Sequence, residues 1–507
     1  MRRGGGAGAG DPGAATTVPS DVSKATMTNG SERSADTRLD ADLRSCFAAQ
    51  RHAFDALPNP SFSVRRDWLA RLLGLTERNQ DAIVAAIGAD FGTRSAQETR
   101  LAELFMVTVG IRHARRHLAR WMRPRRVPTP LYLQPGKSLL IRQPLGVVGV
   151  ISPWNYPFQL ALLPVVAALA AGNRVLLKPS EFTPRTSTLL ARLVSAEFDR
   201  SEFAVINGGP EVGSAFASMP FDHLFFTGST AVGRSIALAA AANLTPVTLE
   251  LGGKSPVLVH EHADIAALVP RLVTGKLLNA GQTCIAPDYV LAPAARVDAL
   301  VHSIAASVGA LYPTLAHNPD YTSIVNDRHY ARLTGLVDDA QRKGAKVIAI
   351  NPGSEDLAAG VRKFAPTVLT AVTPDMAVMQ EEIFGPILPI ETYTSLDDAI
   401  ARINARPRPL AMYMFGGDRG ARARVLERTT AGGVTIDDTL WHFCNEQLPF
   451  GGVGASGMGA YHGERGFLAF THEKPVFAQP RIALTWLLQP PYGRRFEAVL
   501  KLLRRIA

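Results

Sequence analysis

The sequence predicts an α/β protein with a parallel sheet, organised as more than one domain, and three observations point there. The chain has 507 residues, more than a single domain of about 100–200 residues holds. Apolar residues make up 47% and charged residues 19%, the balance of a globular chain rather than a disordered one. From residue 145 onward, short apolar runs of strand length alternate with segments of helix length. That alternation is the pattern of right-handed βαβ crossovers and of a sheet covered on both faces.

Taken in order, residues 1–36 are rich in Gly, Ala, Ser and Thr without apolar periodicity, and predict a disordered leader. Arg2-Arg3 is followed by glycines, not by the roughly 7–15 apolar residues of a secretory signal. A start at Met27 would remove most of this leader. Residues 39–54 and 65–90 predict amphipathic helices from their mixed three- and four-residue apolar spacing. Residues 98–121 predict a helix that turns basic until Pro124, Pro128 and Pro130 stop it. Predicted strands follow at 146–152, 174–178, 203–207, 223–226 and 246–251, with helices at 159–171, 186–197 and 231–242 between them. A second α/β series occupies 257–433, with strands at 346–350 and 388–393.

Composition narrows the function classes. No uninterrupted apolar run reaches the ~18–20 residues of a bilayer span; the best, 160–171, contains Pro164 and ends at Gly172-Asn173-Arg174. Three cysteines, Cys46, Cys284 and Cys444, are too few for a disulfide framework in this length and predict a reducing, cytoplasmic setting. The net charge of +10 gathers at 112–126 and at Arg494-Arg495, Lys501 and Arg504-Arg505. No zinc-knuckle spacing, RNA-binding aromatic signature or basic region with heptads accompanies it, so no nucleic-acid partner is expected. No residue is assigned to a metal.

Four stretches carry groups with chemistry. Gly228-Ser229-Thr-Ala-Val-Gly233 follows the strand Leu224-Phe225-Phe226 and opens a helix, a place where backbone N–H groups and a helix N-terminus receive a diphosphate. Its middle glycine is missing relative to G-x-G-x-x-G, and a plain tight turn explains it equally well. Lys178-Pro-Ser-Glu181 closes a strand at the carboxyl edge of the same sheet, where both side chains could meet ribose hydroxyls or form an ordinary charged loop. Cys284 follows Gly281-Gln282-Thr283, a loop or helix-start composition that would lower a thiol pKa; the alternative is a buried small hydrophobe. Glu250 ends an apolar strand in Leu249-Glu-Leu-Gly-Gly-Lys254, either as a base whose pKa burial raises or as a partner for Lys254.

Read together, these motifs resemble the aldehyde dehydrogenase superfamily over about residues 39–479. The matching stretches are Pro153-Trp-Asn-Tyr-Pro157, Lys178-Pro-Ser-Glu181, Phe226-Thr-Gly-Ser-Thr230, Glu250-Leu-Gly-Gly-Lys254 and Gly281-Gln-Thr-Cys284. Glu381-Glu-Ile-Phe-Gly-Pro386 and Pro449-Phe-Gly-Gly-Val-Gly454 follow in the same order. Leu244 to Pro256, Gly281 to Val290 and Ser456-Gly-Met-Gly-Ala-Tyr-His-Gly463 are similar to the class 3 branch of that superfamily. Ile324-Val-Asn-Asp-Arg-His-Tyr330 and Gly433-Val-Thr-Ile-Asp-Asp-Thr-Leu440 lean towards its coniferyl aldehyde dehydrogenases.

The resemblance implies a Rossmann-like cofactor domain over 37–128 and 146–252, and a second α/β catalytic domain over 253–450. It implies a small β arm for oligomerisation over 129–145 and 475–490, and a homodimer. Cys284 would be the nucleophile, Glu250 the base that activates water, and Asn155 an oxyanion donor together with the Cys284 N–H. Lys178 and Glu181 would face the adenosine ribose, Gly228, Ser229 and Gly233 the diphosphate, Glu382 the nicotinamide ribose and Phe384 the nicotinamide end. NAD is the expected cofactor because of the acid at Glu181, with NADP as an alternative. The expected substrate is coniferaldehyde or another aromatic aldehyde, in a funnel to which Tyr156, Trp441 and Phe443 would contribute.

Two rival readings remain at this level. A fatty aldehyde dehydrogenase at a membrane surface would use the basic amphipathic tail 491–507, whose Phe496, Val499, Leu500, Leu502 and Leu503 would otherwise dock on a partner subunit. A catalytically silent binding dimer on the same scaffold has no need of Cys284, Glu250, Asn155 and Glu382 together.

Overall fold

A computed structural model describes residues 30–357, 362–481 and 483–506. Most of the proposed leader, residues 1–29, lies outside the described residues. Residues 30–36, also given to the leader by composition, instead begin the helix Gly30–Ala56. No glycine or proline interrupts the chain between Ser31 and Ala56, so a helix once begun has nothing to stop it.

The first sheet has six strands in the order Gly457–Met458, Val247–Glu250, His223–Thr227, Val147–Ile151, Arg174–Lys178, Phe203–Val205. All pairs are parallel except the edge pair of Gly457–Met458 with Val247–Glu250. The chain starts at Val147–Ile151, steps outward to Phe203–Val205, then returns to place His223–Thr227 on the other side. The order therefore reverses between Val147–Ile151 and His223–Thr227, and in such sheets ligands bind beyond the carboxyl ends at that reversal. Every residue of Val147–Ile151, Arg174–Lys178 and His223–Thr227 is buried, which is why these strands read as continuous apolar runs. One face is covered by Gln159–Ala171, a helix buried nearly all round that packs on Met106–Trp121 and Phe62–Arg78.

The second sheet has seven strands in the order Lys346–Ala349, Thr367–Thr370, Ile387–Tyr393, Tyr289–Pro293, Pro256–Val259, Ala411–Phe415, Gly433–Ile436. It is parallel apart from the antiparallel edge strand Lys346–Ala349. The chain crosses from the first sheet to the second between Glu250 and Pro256, so the carboxyl edge of one faces the amino edge of the other.

Three expectations need correction. The helix expected over 65–90 is two, Phe62–Arg78 and Gln80–Phe91, because the Asn79 side chain donates to the Leu75 carbonyl at 2.8 Å and its backbone leaves the helical region. The arm is a three-stranded antiparallel sheet of Arg125–Val127, Lys137–Pro144 and Thr471–Ala478. It thus takes residues 125–127 from the segment given to the first domain, and its last strand begins at Thr471 rather than 475, because Thr471 pairs with Pro144 at the end of an eight-residue ladder. Finally, one segment among the described residues, Ala294–Leu311, is long and apolar enough to span a bilayer. It holds Arg296 and Asp298 and buries Leu300, Ile304 and Val308 against the core, as a surface helix does.

Candidate active site

Four carboxyl-terminal strand ends of the first sheet carry part of the predicted set. Ile151 leads into Ser152-Pro153-Trp154-Asn155, Arg174–Lys178 ends in Lys178, His223–Thr227 leads into Gly228-Ser229, and Val247–Glu250 ends in Glu250. Gly228 N–H donates to the Glu250 carbonyl at 3.0 Å, which ties two of these ends together.

Glu250 is 3% exposed, and neither carboxylate oxygen has a hydrogen-bond partner among the described residues. Burial pushes its carboxyl well above the usual range. The alternative partner, Lys254, is engaged elsewhere: it pairs with Asp288 and donates to the carbonyls of Val378 at 2.8 Å and Glu381 at 3.0 Å. Glu250 is therefore not structural ballast for that lysine.

Cys284 sits on a strained loop. Asn279, Ala280 and Gly281 have φ of 54°, 52° and 75°, three successive residues in the left-handed region, where a non-glycine residue costs about 1–2 kcal/mol. Buried Gln282 holds them there. Its amide donates to the carbonyls of Asn279 at 2.9 Å and Ser323 at 3.1 Å, and its oxygen accepts from Val325 N–H at 3.0 Å. Gly281 is obligatory for a second reason, since a Cβ there would stand 2.4 Å from the Gly385 carbonyl oxygen. The expected lowering of the thiol pKa is not what this environment produces. No helix starts at Cys284, and burial raises the thiol, with Glu382 and Glu250 adding to the rise against weaker backbone N–H contributions.

Asn155 is tied to that loop from both its ends. Its side-chain amide donates to the Gln282 carbonyl at 3.2 Å, and its own carbonyl accepts from Arg94 Nη1 at 2.7 Å and Asn279 Nδ2 at 3.0 Å. Next to it, the Tyr156 hydroxyl shares a 2.7 Å hydrogen bond with Thr283 Oγ1. The backbone at Asn155 and the backbone of the loop leading to Cys284 are thereby locked to one another.

Three charged residues behind this lock were missed by sequence reasoning. Arg94 and Glu103 form a fully buried ion pair at 3.2 Å, and Glu103 Oε2 accepts the N–H groups of Phe158 at 2.8 Å and Gln159 at 2.9 Å. Glu98 Oε2 accepts Asn279 N–H at 3.1 Å and Thr322 Oγ1–H at 3.0 Å, and burial pushes its carboxyl up to about 7. Charged residues at 94, 98 and 103 read in sequence as a solvated helix face. The wide π-turn Arg100–Phe105 carries Glu103 inside an otherwise α-helical run, and nothing in the sequence marks it.

On the other side lie the groups given to a cofactor. Glu382 packs against the strand turn so closely that a Cβ on Gly252 would stand 2.0 Å from its Oε2. Its carboxyl is pushed up to about 8, by burial first and by Asp288 next. Phe384, at φ 52°, meets Trp154 edge to face with ring centroids 5.4 Å apart. Lys178 is buried and donates to Glu181 Oε2 at 3.3 Å and the Pro179 carbonyl at 3.1 Å. Ser229 caps the helix Thr230–Ala241, and Gly233 lets that helix approach until a Cβ would lie 2.6 Å from Leu251.

The residues expected around the substrate separate. Tyr156 stands beside the nucleophile loop, and Phe443 packs on Phe450 at 4.7 Å and His462 at 4.8 Å. Trp441, in contrast, is 60% exposed and faces outwards. It starts the four-residue helix Trp441–Cys444, on which His442 is the buried residue.

Known proteins share this sequence pattern and fold. The aldehyde dehydrogenase family profile matches residues 23–476. The chain is 51% identical over 440 residues to a protein of Caulobacter vibrioides named "Probable coniferyl aldehyde dehydrogenase", covering 86% of this chain and 91% of that one. It superimposes on the substrate-bound state of Staphylococcus aureus AldH with a TM-score of 0.86 at 41% identity, covering 91% of this chain and 99% of the other. An aldehyde dehydrogenase of Mycobacterium tuberculosis complexed with NAD+ gives a TM-score of 0.77 at 30% identity, with 86% and 90% covered.

Proposed function

The chain belongs to the aldehyde dehydrogenase family, and from that premise we propose that it oxidises an aromatic aldehyde, coniferaldehyde first, to its carboxylate through Cys284 with NAD. The observation that carries the reading is Glu250, a buried carboxylate without a hydrogen-bond partner among the described residues, whose charge reaches the Cys284 thiol. A buried acid left unpaired is costly and belongs to a site that uses it.

The carboxyl edge of the first sheet fits a dinucleotide. A capped helix N-terminus at Ser229, the close helix approach at Gly233 and the Lys178–Glu181 pair lie where phosphates and ribose hydroxyls bind in such sheets. Glu382 would hold the second ribose, with Phe384 at the nicotinamide end. When bound, the nicotinamide supplies the hydride acceptor that turns a thiohemiacetal into a thioester, and its positive charge favours the thiolate.

The chain's own residues do the rest. The Cys284 sulfur attacks the aldehyde carbon, and Glu250 takes up the thiol proton. The oxyanion that forms is held by the Cys284 N–H and by the second N–H of the Asn155 amide, whose first is given to Gln282. After hydride loss, and once Glu250 has passed the thiol proton to solvent, it removes a proton from the water that attacks the thioester; the C–S bond breaks, Cys284 leaves as the thiolate and the acid departs as its carboxylate.

The name of the Caulobacter relative supports the aromatic substrate. The reducing setting supports a cytoplasmic enzyme. The arm supports a homodimer, since Leu131, Tyr132 and Phe477 on it are exposed and Thr471–Ala478 is an edge strand. The test is NADH formation from coniferaldehyde, benzaldehyde and a long-chain alkanal, with NAD and with NADP, beside Cys284→Ala. Turnover that vanishes in the variant and favours coniferaldehyde is expected. A preference for the alkanal would overturn the substrate, and turnover persisting in Cys284→Ala would overturn the nucleophile.

A further inference from the structure

The turn that leads to Cys284 is gripped by a carboxylate that the reaction above does not use. Asn279 and Ala280 stand at φ of 54° and 52°, a left-handed pair that persists only where the surroundings over-determine it. The N–H, the carbonyl and the side-chain amide of Asn279 are all bound. Its carbonyl accepts from Gln282 Nε2 at 2.9 Å, and its Nδ2 donates to the carbonyls of Asn155 at 3.0 Å and Gln282 at 3.1 Å. Its N–H goes to Glu98 Oε2 at 3.1 Å.

Glu98 is itself fixed at both ends. Its N–H donates to Ser95 Oγ at 3.3 Å, and its Oε2 accepts Thr322 Oγ1–H at 3.0 Å. Residues 322–325 form the base of this arrangement. Ser323 N–H donates to the Thr93 carbonyl at 2.9 Å, the Ser323 carbonyl accepts from Gln282 Nε2 at 3.1 Å, and Val325 N–H donates to Gln282 Oε1 at 3.0 Å. Glu98 and Gln282 are thus two posts on one base, one gripping the N–H of Asn279 and the other its carbonyl. Holding the peptide groups on either side of one Cα fixes its φ and ψ together. Two donors converge on a single Glu98 oxygen, which suits a charged acceptor.

Resting on the aldehyde dehydrogenase reading, we propose that Glu98 is a positioning residue for the reaction: its carboxylate holds Asn279 in the left-handed turn and, through the Asn279 amide, sets the Asn155 oxyanion donor against Cys284. Glu98 acts through Asn279 and touches no reacting atom. Burial pushes its carboxyl up to about 7 against the pull of Arg94 and of its two donors, with Asp320 adding to the rise. Lys363 and the phenols of Tyr312 and Tyr321 also feel its charge.

The experiment compares the wild type with Glu98→Gln, which keeps an acceptor oxygen without the charge, and Glu98→Leu, which loses both. Hydrogen exchange of residues 278–285, read against the strand Val147–Ile151, is expected to rise by about tenfold in Glu98→Leu and by less in Glu98→Gln. With it kcat should fall by about 10–10² in Glu98→Leu, while KM for NAD stays within about twofold. The ratio of wild-type to Glu98→Gln kcat should be close to unity at acid pH, where carboxyl and amide are alike, and climb as the pH passes about 7. The titrations of Cys284 and Glu250 are common to both proteins and cancel in that ratio. A purely structural role leaves the ratio flat, and a flat ratio overturns the proposal even where Glu98→Leu fails to fold. So does an unchanged kcat in folded Glu98→Leu, or exchange at 278–285 that rises no more than in the strand. Should the wild type oxidise no aldehyde, the aldehyde dehydrogenase reading fails by itself. The hold on the turn is then decided by exchange in Glu98→Gln: a local rise supports it, and none sinks it.

Discussion

Glu250 and Cys284, the proposed base and nucleophile, show what burial does to titratable groups. Both are titratable, both are pushed upward by loss of water, and the Glu250 charge adds to the rise at Cys284. A base works in its deprotonated form, so a carboxyl raised above the ordinary range moves the rising limb of activity upward in pH. Turnover is expected to climb with pH beyond the range where free carboxylates have already ionised. In Glu250→Gln that limb should disappear from the kcat profile and steady-state turnover should fall by about 10²–10⁴. An initial burst of NADH, one per Cys284, should survive if Glu250 acts chiefly on the thioester; a lost burst would assign it to thiol activation. Asn155→Ala should lower kcat by about 10²–10³, the usual effect of removing one oxyanion donor. An unchanged kcat would remove Asn155 from the mechanism.

Among the elements, the loop from Asn279 to Cys284 and the loop from Pro153 to Gln159 work as one unit. Arg94 and Glu98 stand behind it, each bonded to a backbone group of one loop. Replacing Arg94 by Leu leaves Glu103 buried without its cation, which typically costs about 3–5 kcal/mol. The expected result is a lower melting temperature together with a fall in kcat, and partial recovery of stability in Arg94→Leu/Glu103→Leu. Gly281→Ala tests the second loop. Left-handed strain of about 1–2 kcal/mol and overpacking of about 1–3 kcal/mol should fall on the residues that position the nucleophile. Slower alkylation of Cys284 in folded Gly281→Ala is expected, and an unaltered rate would show that the loop absorbs the change.

For the whole molecule, the exposed arm and tail are what a second copy would cover. Leu131 is 68% exposed, and the helix Arg494–Ile506 packs near it with Leu502 still 57% exposed. Tyr132→Asp with Phe477→Asp is expected to shift the protein to monomer in sedimentation velocity, because charges cannot be buried unpaired at an interface. A dimer that persists would place the contact elsewhere. Deleting residues 491–507 separates the two uses of the tail: loss of the dimer assigns it to the partner, and loss of binding to anionic vesicles assigns it to a membrane surface.

Much of the site was legible in the sequence because its residues lie at fixed offsets from strands. Lys178, Gly228 and Glu250 follow apolar runs directly, and a parallel sheet puts all such ends on one edge, so their convergence follows from order alone. Glu382 was legible only through resemblance, and Cys284 stood undecided between an activated thiol and a buried small hydrophobe until the resemblance was drawn. The tertiary structure decided everything that depends on which groups exclude water from one another. Lys254 looks like the natural partner of Glu250 at four residues' distance, yet it pairs with Asp288 at the amino ends of two neighbouring strands of the second sheet. The thiol, expected to be acidic from its flanking residues, is raised first by burial and then by Glu382 and Glu250, two carboxylates far from it in sequence. Arg94, Glu98 and Glu103 carry no local mark of burial, and their contacts exist only once segments far apart in sequence close over them. Short-range pattern determines where strands end and helices begin; desolvation and charge, which act through space, are set by packing alone.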